Sequence, residues 1–581
     1  MRVRMLVVLI VSLTVCSVRA EQLEFKERAL ADLVKQVPGI LRAFDAKTGR
    51  FGSGIWICQD QEQMYPLAAA YAAPGKNNPY HKDPKLLEVI IKAGDALIDD
   101  MDAHGEWVFR KKDGSTWGNI RMPWTYSRWI RTFQVVGQDM PPEARQRWTK
   151  ALQLGYGKIA QHDMGHVHNI PSHHAMGLYA AGKAFDQPPW RQQASEFLMR
   201  VVGQQTEGGY WSEDAGPVVL YDFVYIDALG VYYAMSDDRR VLPALEKAAQ
   251  FHLAFTYPNG RNVETIDQRN PYHPEIALGN VGFTCTPIGR AYLKRQWSCH
   301  TGPLPADLCA SLLLYGQEGP IAEIPADQNT FVLQEGGLPR AATVRRGPWF
   351  VCLSAYTAPV VKSRWIQDRQ NLVSIYHDKV GLILGGGNTK LQPAWSTFTV
   401  GDPSLLAHRA GDTNPDFLPK GTLYHVPSTA KLLLEPEPGL DLTYGPETCQ
   451  VRLVLKDESK LEYRIQSTTV SQLPIHAHLT LLPRLGQPVE TAKGEKLSLG
   501  NEPMSLAADR LGQWIAHAGY RISVPPTATL LWPVFPHNPY RADGHATLEE
   551  ARLVLRIRLD SEHRDCPILL EVPTALASPQ K

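Results

Sequence analysis

The sequence lacks a dominant charge, and beyond its start it lacks a long apolar run. Its 581 residues carry 60 basic and 59 acidic side chains, so there is no overall electrostatic footprint for nucleic acid. After the N-terminus no segment approaches the roughly 20 consecutive apolar residues that a membrane-spanning helix needs. These two absences argue against a nucleic-acid-binding protein and against an integral membrane protein.

Cysteine is scarce, and its spacing excludes a common structural site. The chain has 8 cysteines and no CxxC pair, which argues against a zinc ribbon. Cys299 and Cys309 are close enough in sequence to bridge a short loop in an oxidising compartment. The alternative, that the cysteines are buried free thiols, fits the sequence equally well. A low-complexity linker is also missing, so we expect the domains to pack directly against each other.

The first 20 residues have the pattern of a secretory signal peptide. In MRVRMLVVLIVSLTVCSVRA, two arginines precede an apolar run and small residues stand at the cleavage position. We therefore expect a secreted or periplasmic protein whose mature chain begins at residue 21.

From residue 21 to residue 322 the sequence predicts repeated helical hairpins. Apolar segments rich in small residues alternate with charged amphipathic segments, and the apolar ones begin near Tyr65, Met122, Ile170, Phe223 and Val281. An apolar helix followed by an amphipathic one is typical of an inner and an outer ring, because only the outer ring meets water. The prediction is an (α/α) toroid in which the N-termini of the inner helices open on one face.

After about Gly316 the pattern changes to short alternating segments. Stretches such as CQVRLVLKDESKLEYRIQS alternate apolar and polar residues at period two, and few helix signals intervene. We predict an antiparallel β-sandwich domain over residues 323–581. The whole chain is thus expected to be an α+β multidomain protein.

The stretch QHDMGHVHNIPSHHAMGLYA, residues 161–180, concentrates polar chemistry at the start of an inner helix. It groups five histidines around Asn169, and its Pro-Ser pair suits a first helical turn in which serine caps free backbone N–H groups. Tyr221 and Tyr225 begin the next inner helix. We expect an amide, an imidazole and a phenol to converge there, although aromatic residues at this spacing are also typical of a core.

This combination of side chains suits β-elimination from a uronic acid. The C5 proton of the sugar is too weakly acidic to be removed unless the neighbouring carboxylate is neutralised. An Asn amide, a protonated His or an Arg can neutralise that carboxylate and stabilise the developing enolate. A Tyr or His then takes the proton, and a Tyr O–H can hand one to the departing glycosidic oxygen.

The predicted toroid, the β-sandwich, the Asn/His loop and the later Tyr together resemble the heparinase II/III-like and alginate-lyase polysaccharide lyases. The resemblance implies that Asn169 neutralises the substrate carboxylate and that His168 or His173 assists it or acts as base. It implies that Tyr225, with Tyr221 as competitor, is the general acid and also a candidate base. An anionic uronic-acid polysaccharide is then the substrate. No organic cofactor is implied, and a structural metal ion is compatible with the resemblance.

Further side chains are predicted to bind the substrate. They come from the inner helices, from the polar loop after the fourth hairpin and from the start of the β-domain: Trp124, His174, Arg269, Tyr272, Arg364 and Arg369. The last two stand in RWIQDRQN, where an arginine would meet the substrate carboxylate. The alternative for this segment is an internal salt-bridge cluster.

The β-domain departs from the family pattern at one position. The family has a histidine in an H-x-D segment there; in this chain Asp368 is in place, but Ile366 stands where the histidine is expected. Arg364, Arg369 or His377 are the candidates to replace it, and the identity of the base depends on which of them does.

Two other uses of the same region stay open. His166, His168, His173, His174 and Asp163 supply enough ligands for a metal, although no spacing such as HExxH is present. The histidines are alternatively a scattered set of capping and core residues.

Two other functions also stay open. A toroid-type glycoside hydrolase needs two carboxylates across a cleft; the candidates are Glu207, Glu213, Asp214, Asp163, Asp267 and Glu264. This function is favoured if Asp163 faces Glu213 or Asp214. The remaining alternative is a non-catalytic polysaccharide-binding protein of the same shape.

Overall fold

The structure is a computed structural model that describes residues 21–52, 54–111, 115–269, 271, 275–324, 329–406, 408–409 and 411–573. The signal peptide predicted for residues 1–20 lies outside these ranges. Within them, no helix is both long enough and apolar enough to cross a bilayer.

Helices make up most of the chain before residue 316. They are α1 Lys26–Arg42, α2 Ile57–Asp60, α3 Met64–Ala72, α4 Pro84–Asp100, α5 Pro123–Val136, α6 Pro142–His162, α7 Asn169–Ala184, α8 Pro188–Gly203, α9 Val219–Ser236, α10 Leu242–Ala254, α11 Pro287–Cys299 and α12 Ala306–Tyr315, with a short α13 Ala508–Leu511 much later.

The first helix of each hairpin lies inside a ring and the second lies outside it. Helices α3, α5, α7 and α9 contact one another in order, and α12 contacts both α3 and α9, which closes the ring. Helices α4, α6, α8 and α10 pack around these inner helices. Small residues permit the close packing: a Cβ added at Gly177 on α7 would lie 2.5 Å from the Tyr156 hydroxyl of α6. The predicted toroid is confirmed.

The fifth inner position differs from the expectation. The segment that begins at Val281 forms a short 3-10 turn, Val281–Cys285, which packs against α9, and the helix after it, α11, lies next to α10. Gly282 allows the turn to approach α9, because a Cβ there would lie 2.2 Å from the Ile226 carbonyl oxygen. The prediction of an inner helix at Val281 is therefore wrong.

Strands dominate the rest of the chain. They are β1 Gln22–Leu23, β2 Trp107–Arg110, β3 Thr116–Ile120, β4 Gly319–Pro320, β5 Thr330–Glu335, β6 Leu338–Arg346, β7 Trp349–Ser354, β8 Val373–His377, β9 Gly381–Leu384, β10 Phe398–Gly401, β11 Leu423–Tyr424, β12 Thr429–Leu433, β13 Gly439–Tyr444, β14 Glu447–Leu455, β15 Lys460–Ser467, β16 Ile475–Leu481, β17 Val489–Thr491, β18 Lys496–Leu497, β19 Met504–Ala507, β20 Trp514–His517, β21 Tyr520–Ser523, β22 Ala528–Val534, β23 Arg552–Leu559 and β24 Asp565–Glu571.

Most of these strands form two antiparallel sheets. The 11-stranded sheet has the order β19-β22-β23-β16-β9-β8-β7-β6-β5, with β10 and β11 attached at β16, and the 9-stranded sheet has the order β12-β13-β14-β15-β24-β21-β20-β17-β18. Leu479 and Leu555 of the first sheet share one core cluster with Leu453 and Ile568 of the second. The predicted sandwich is confirmed. Its predicted start at residue 323 falls between β4 and β5 and stays a prediction.

The toroid and the sandwich share an apolar core. Phe251 and Tyr257 of the toroid cluster with Phe350 and Tyr376 of the first sheet, and the Tyr257 ring stacks on the Tyr376 ring with centroids 5.4 Å apart. The two halves pack directly, as the missing linker led us to expect. The described cysteines are free thiols; Cys299 faces a backbone carbonyl rather than a second thiol.

A buried ion-pair cluster fixes the start of the sandwich. Lys390 Nζ donates to Asp368 Oδ1 at 2.6 Å and to the Val361 carbonyl at 2.9 Å, and His425 Nε2 donates to Asp368 Oδ2 at 2.9 Å. The three side chains are 1% exposed or less. A carboxylate this deep is tolerated only when it is paired and hydrogen-bonded, so Asp368 is a structural residue.

Lys390→Met should destabilise the fold by about 3–5 kcal/mol, because it leaves the buried Asp368 without its cation. Denaturant unfolding checks this value. The matched control is Lys496→Met, since the Lys496 side chain is 71% exposed and its ion pair should contribute no more than about 1 kcal/mol. Equal effects of the two substitutions would contradict a structural role for the buried cluster.

Candidate active site

The His/Asn segment lies at the start of an inner helix, as predicted. Helix α7 begins at Asn169, and His168 is the extended residue before it. The cap differs from the expectation: Ser172 does not accept from a backbone N–H but donates its hydroxyl to the His168 carbonyl at 2.6 Å. That bond ties the first turn of the helix to the backbone of His168.

Three predicted catalytic side chains converge on one carboxylate. Asn169 Nδ2 donates to Glu213 Oε2 at 2.8 Å, and His168 Nε2 lies 2.8 Å from the same oxygen. Tyr225 Oη donates to Glu213 Oε1 at 2.7 Å. The Glu213 side chain is only 1% exposed, so these donors replace its water shell. The sequence singled out Glu213 only as a hydrolase candidate and missed it as the acceptor shared by these groups.

The loop that carries Glu213 is held from both halves of the molecule. Ser212 and Pro217 pair across its base, and the Ala215 N–H donates to Gln268 Oε1 at 2.9 Å. From the sandwich, Arg369 Nε donates to the Ala215 carbonyl at 2.9 Å. Gly216 has a φ of 110°, and a Cβ there would lie 2.7 Å from Arg369 Nη2. Only glycine fits this approach.

Arg369 is therefore too deeply buried to bind a substrate. It is 1% exposed, and its second bond runs to the Ile266 carbonyl at 2.8 Å. Burial lowers the pKa of its guanidinium to about 10. The substrate-binding prediction for Arg369 is corrected: the side chain clamps the loops of the toroid because its planar donors reach two carbonyls at once.

Charge and exposure divide the cluster into two parts. Hydrogen bonding to Glu213 raises the pKa of His168, and the His168 side chain is 38% exposed. Tyr225 is 1% exposed and stacks on Trp211 with centroids 5.2 Å apart. Burial, and next the Glu213 carboxylate, raise the pKa of Tyr225 well above its usual range. The histidine whose charged form is favoured thus faces solvent, and a neutral phenol lies behind it.

Tyr221 and Arg269 lie side by side next to the Glu213 cluster and are called here the neighbouring wall. Tyr221 is half-buried, and the Arg269 guanidinium lies 4.9 Å from its ring centroid. The Arg269 charge acts on His168, where it opposes the pKa shift caused by Glu213. The structure thus places both residues beside the cluster, whereas the predicted substrate-binding Tyr272 lies outside the described residues.

The structure places His173 and Trp124 elsewhere. His173 Nε2 lies 3.3 Å from Asp227 Oδ2, and its ring packs edge-on against Trp124 with centroids 4.6 Å apart. Both line a cavity of about 420 Å³ at the centre of the toroid. Burial lowers the pKa of His173. Of the two histidines predicted beside Asn169, His168 contacts Glu213 and His173 contacts Asp227.

His174 lines a second cavity, of about 340 Å³, between the β2–β3 hairpin and the loop before α7. Burial lowers its pKa to about 4, so its imidazole is neutral at physiological pH. Arg121 ties the hairpin to this loop, because its guanidinium contacts Asp163 through Nε and Nη2 and Glu106 through Nη1. Among the described residues, no group of three or more His, Cys, Asp or Glu is arranged to hold a metal.

The substitutes proposed for the missing β-domain histidine do not reach Glu213. His377 Nε2 donates to the Glu458 carbonyl at 3.0 Å, and its ring packs on Trp349. Arg364 Nη2 donates to the carbonyls of Arg541 and Ala542 at 2.5 and 3.1 Å. The hypothesis that either replaces the family histidine finds no contact to support it. Arg364 supports a loop of the sandwich instead.

Four of the six carboxylates of the hydrolase alternative, Asp163, Glu213, Asp267 and Glu264, have separate partners. Asp163 is bound by Arg121, and Glu213 is bound by its three donors. Asp267 accepts from the backbone N–H groups of Val219 and Arg269, both at 2.7 Å. Glu264 is buried and accepts from the Gly386 N–H at 2.7 Å. Asp163 and Glu213 are thus each held by donors of their own.

Comparison with known proteins shows a likeness of fold. No family model and no curated protein matches the sequence. Among solved structures, xanthan lyase from Paenibacillus matches 95% of this chain and 57% of its own at a TM-score of 0.53 and 10% identity. The chondroitin AC lyase of Streptomyces coelicolor A3 matches 95% of this chain and 80% of its own at a TM-score of 0.50 and 12% identity. Heparinase III matches 88% of this chain and 77% of its own at a TM-score of 0.49 and 12% identity.

The chain shares its overall fold with these xanthan and chondroitin AC lyases. The likeness to the xanthan and chondroitin AC lyases, at these identities, extends to the architecture of the toroid and the sheets. It confirms the fold that the sequence resemblance implied. The roles of individual side chains must be argued from the site itself.

Glu213→Gln should lower the pKa of His168 towards that of a free histidine, because it removes the charge that favours the imidazolium. In the native protein this pair stabilises the fold below the unfolded histidine pKa of about 6.5, and the contribution is lost as pH rises through the raised folded pKa.

NMR titration of labelled histidines checks the shift in the pKa of His168. His377, bonded to a carbonyl in the sandwich, is the internal control, and an unchanged His168 pKa would contradict the pairing.

Proposed function

We propose that this protein is a secreted or periplasmic polysaccharide lyase that cleaves a uronic-acid-containing glycan by β-elimination. The observation that carries the proposal is the convergence of His168, Asn169 and Tyr225 on the carboxylate of Glu213. The site is built to hold a carboxylate between an amide, an imidazolium and a phenol. A uronic acid brings a carboxylate of the same kind, and the fold is one that xanthan and chondroitin AC lyases share.

When the substrate binds, its carboxylate replaces that of Glu213 as the hydrogen-bond acceptor of His168 and Asn169. The solvent-facing His168 turns its charge from Glu213 to the substrate carboxylate, and the Asn169 amide follows it. Both are strong donors towards the enolate that forms when the C5 proton leaves. The exchange removes two of the three donors from Glu213, so its carboxylate oxygens become available to accept a proton from Tyr225.

Tyr225 and Glu213 then move the proton as a pair. The raised pKa of Tyr225 argues against a free phenolate as base. Instead, once His168 has turned to the substrate, the phenol oxygen behind it meets C5 and accepts the C5 proton while its own proton passes along the 2.7 Å bond to Glu213. The bond from C4 to the glycosidic oxygen breaks as the C4–C5 double bond forms. Tyr225 then protonates the leaving oxygen and regains a proton from Glu213, so the enzyme returns to its starting state.

The neighbouring wall positions the sugar. Arg269 adds a positive charge over Tyr221 on the side of His168, which suits a polyanionic chain. Each step is assigned to a side chain of the protein, so the proposed reaction calls for no organic cofactor. The hydrolase alternative is less favoured because it needs two facing carboxylates, whereas Glu213 is shared by three donors.

Incubation of the mature protein with a panel of uronic-acid polysaccharides tests the proposal. The C4–C5 double bond, conjugated with the carboxylate, absorbs in the ultraviolet, and its absorbance should rise with one glycan of the panel. Tyr225→Phe should slow the rise about 10²–10⁴-fold through loss of proton transfer. Asn169→Ala should slow it about 10²–10³-fold through loss of enolate stabilisation.

The matched control is Tyr520→Phe, since the Tyr520 hydroxyl is buried in the sandwich with no hydrogen-bond partner among the described residues, and its removal should leave the rate unchanged. New reducing ends without ultraviolet absorbance would favour the hydrolase. Tight glycan binding without any cleavage would favour the binding protein. An unchanged rate in Tyr225→Phe would contradict the assigned proton path.

A further inference from the structure

Aromatic side chains bridge the two halves of the molecule beside the candidate site. Trp117, on strand β3 of the toroid hairpin, meets Trp365 of the sandwich edge-on with ring centroids 5.6 Å apart. Trp365 in turn meets Tyr540, on the loop after β22, with centroids 5.5 Å apart. These three rings, called here the aromatic bridge, run from the toroid to the sandwich.

The aromatic bridge is supported from behind at both ends. In the toroid, Phe109 stacks on Trp117 with centroids 5.0 Å apart and planes 16° apart. In the sandwich, the Arg364 guanidinium lies 5.7 Å from the Trp365 ring and binds the carbonyls of Arg541 and Ala542, next to Tyr540. The bridge is thus a built contact rather than a chance meeting of surface side chains.

The far end of the bridge returns to the candidate site. Tyr540 adjoins Tyr221 at the start of α9, and after burial it is the strongest influence that raises the pKa of Tyr221. One turn later on the same helix, Tyr225 binds Glu213. The bridge therefore ends beside the side chains proposed to do the chemistry.

The other end of the bridge also returns to the site. Trp117 stands on the β2–β3 hairpin, which Arg121 ties to Asp163 in the loop before α7. Helix α7 begins with Asn169, which binds Glu213. The contacts therefore form a closed circuit: hairpin, aromatic bridge, α9, Glu213, α7 and back to the hairpin. The cavity of about 340 Å³ lies against the hairpin and the loop before α7, which are two parts of this circuit.

We propose that this closed circuit makes the protein act at chain ends and not within chains. The inference rests on the proposed lyase function. The interior of a long polysaccharide can enter an open cleft from the side, but it cannot enter a circuit that is closed by Trp117, Trp365 and Tyr540. Only a chain end can be inserted. Trp117 and Tyr540, each 56% exposed, offer their rings to the sugars that follow.

Cleavage pattern is the first test. The native protein should accumulate double bonds while the viscosity of the glycan falls slowly and short products appear from the start. Trp117→Ala and Trp117→Ala/Trp365→Ala should shift the pattern to an early loss of viscosity and to long products. The single variant is included because the exposed Trp117 can be removed without disturbing the core. Trp514→Ala, which removes a tryptophan from the second sheet, should leave the pattern as it is.

A binding measurement separates this inference from the lyase function. In a Tyr225→Phe background, the number of protein molecules bound per glycan chain is counted for chains of increasing length. With the bridge intact the number should stay constant, and with Trp117→Ala/Trp365→Ala it should grow with length. A number that grows with length while the bridge is intact overturns the inference even if the enzyme is a lyase. Chain-end binding without double-bond formation in the native protein overturns the lyase function and leaves the inference standing.

Discussion

The site depends on one buried carboxylate that must be kept hydrogen-bonded. Glu213 is almost entirely removed from water, and an ionised group in that position is tolerated only with several donors. His168, Asn169 and Tyr225 supply them from two inner helices and the turn before one of them. The same requirement explains the rigid loop around Glu213, in which Gly216 makes room for Arg369. The sandwich therefore helps to build a site whose donors all belong to the toroid.

The surrounding fold makes this convergence possible. A closed ring of inner helices places the N-termini of α7 and α9 on one face, and small residues such as Gly177 let the helices approach each other. The sandwich is anchored by its own buried ion pair between Asp368 and Lys390, so its arginine clamp reaches the toroid from a fixed base. Two buried charge clusters, one in each half, thus hold the parts of the site in register.

Much of this arrangement could be predicted from the sequence, because it follows from local patterns of apolar and polar residues. The alternation of apolar and amphipathic helices predicts the toroid, and period-two alternation predicts the sandwich. Asn169, His168 and Tyr225 were predicted from their places at the starts of inner helices. The turn at Val281 was missed, because an apolar segment with small residues reads as a helix and only its approach to α9 requires otherwise.

The rest depends on contacts between distant segments, which local patterns do not carry. Glu213 lies 44 residues after Asn169 and 12 before Tyr225, in a loop whose conformation is set by Arg369 from the other half. His168 and His173 look alike in sequence, and only the direction of each side chain decides that one meets Glu213 and the other Asp227. Arg369 was predicted to bind substrate because it stands in a polar segment. Its burial, which decides its role, is a property of the assembled fold.

The most direct test of the central claim is cleavage of the glycan in heavy-oxygen water, with immediate reduction of the new reducing ends so that their oxygen cannot exchange, followed by mass spectrometry of the products. Elimination breaks the bond between C4 and the glycosidic oxygen without adding water, so the account predicts that the new ends carry no heavy oxygen and that one product is unsaturated. Incorporation of one heavy oxygen for each bond cleaved would mean that water attacks the sugar. The assignment of His168, Asn169, Glu213 and Tyr225 to a β-elimination would then be wrong.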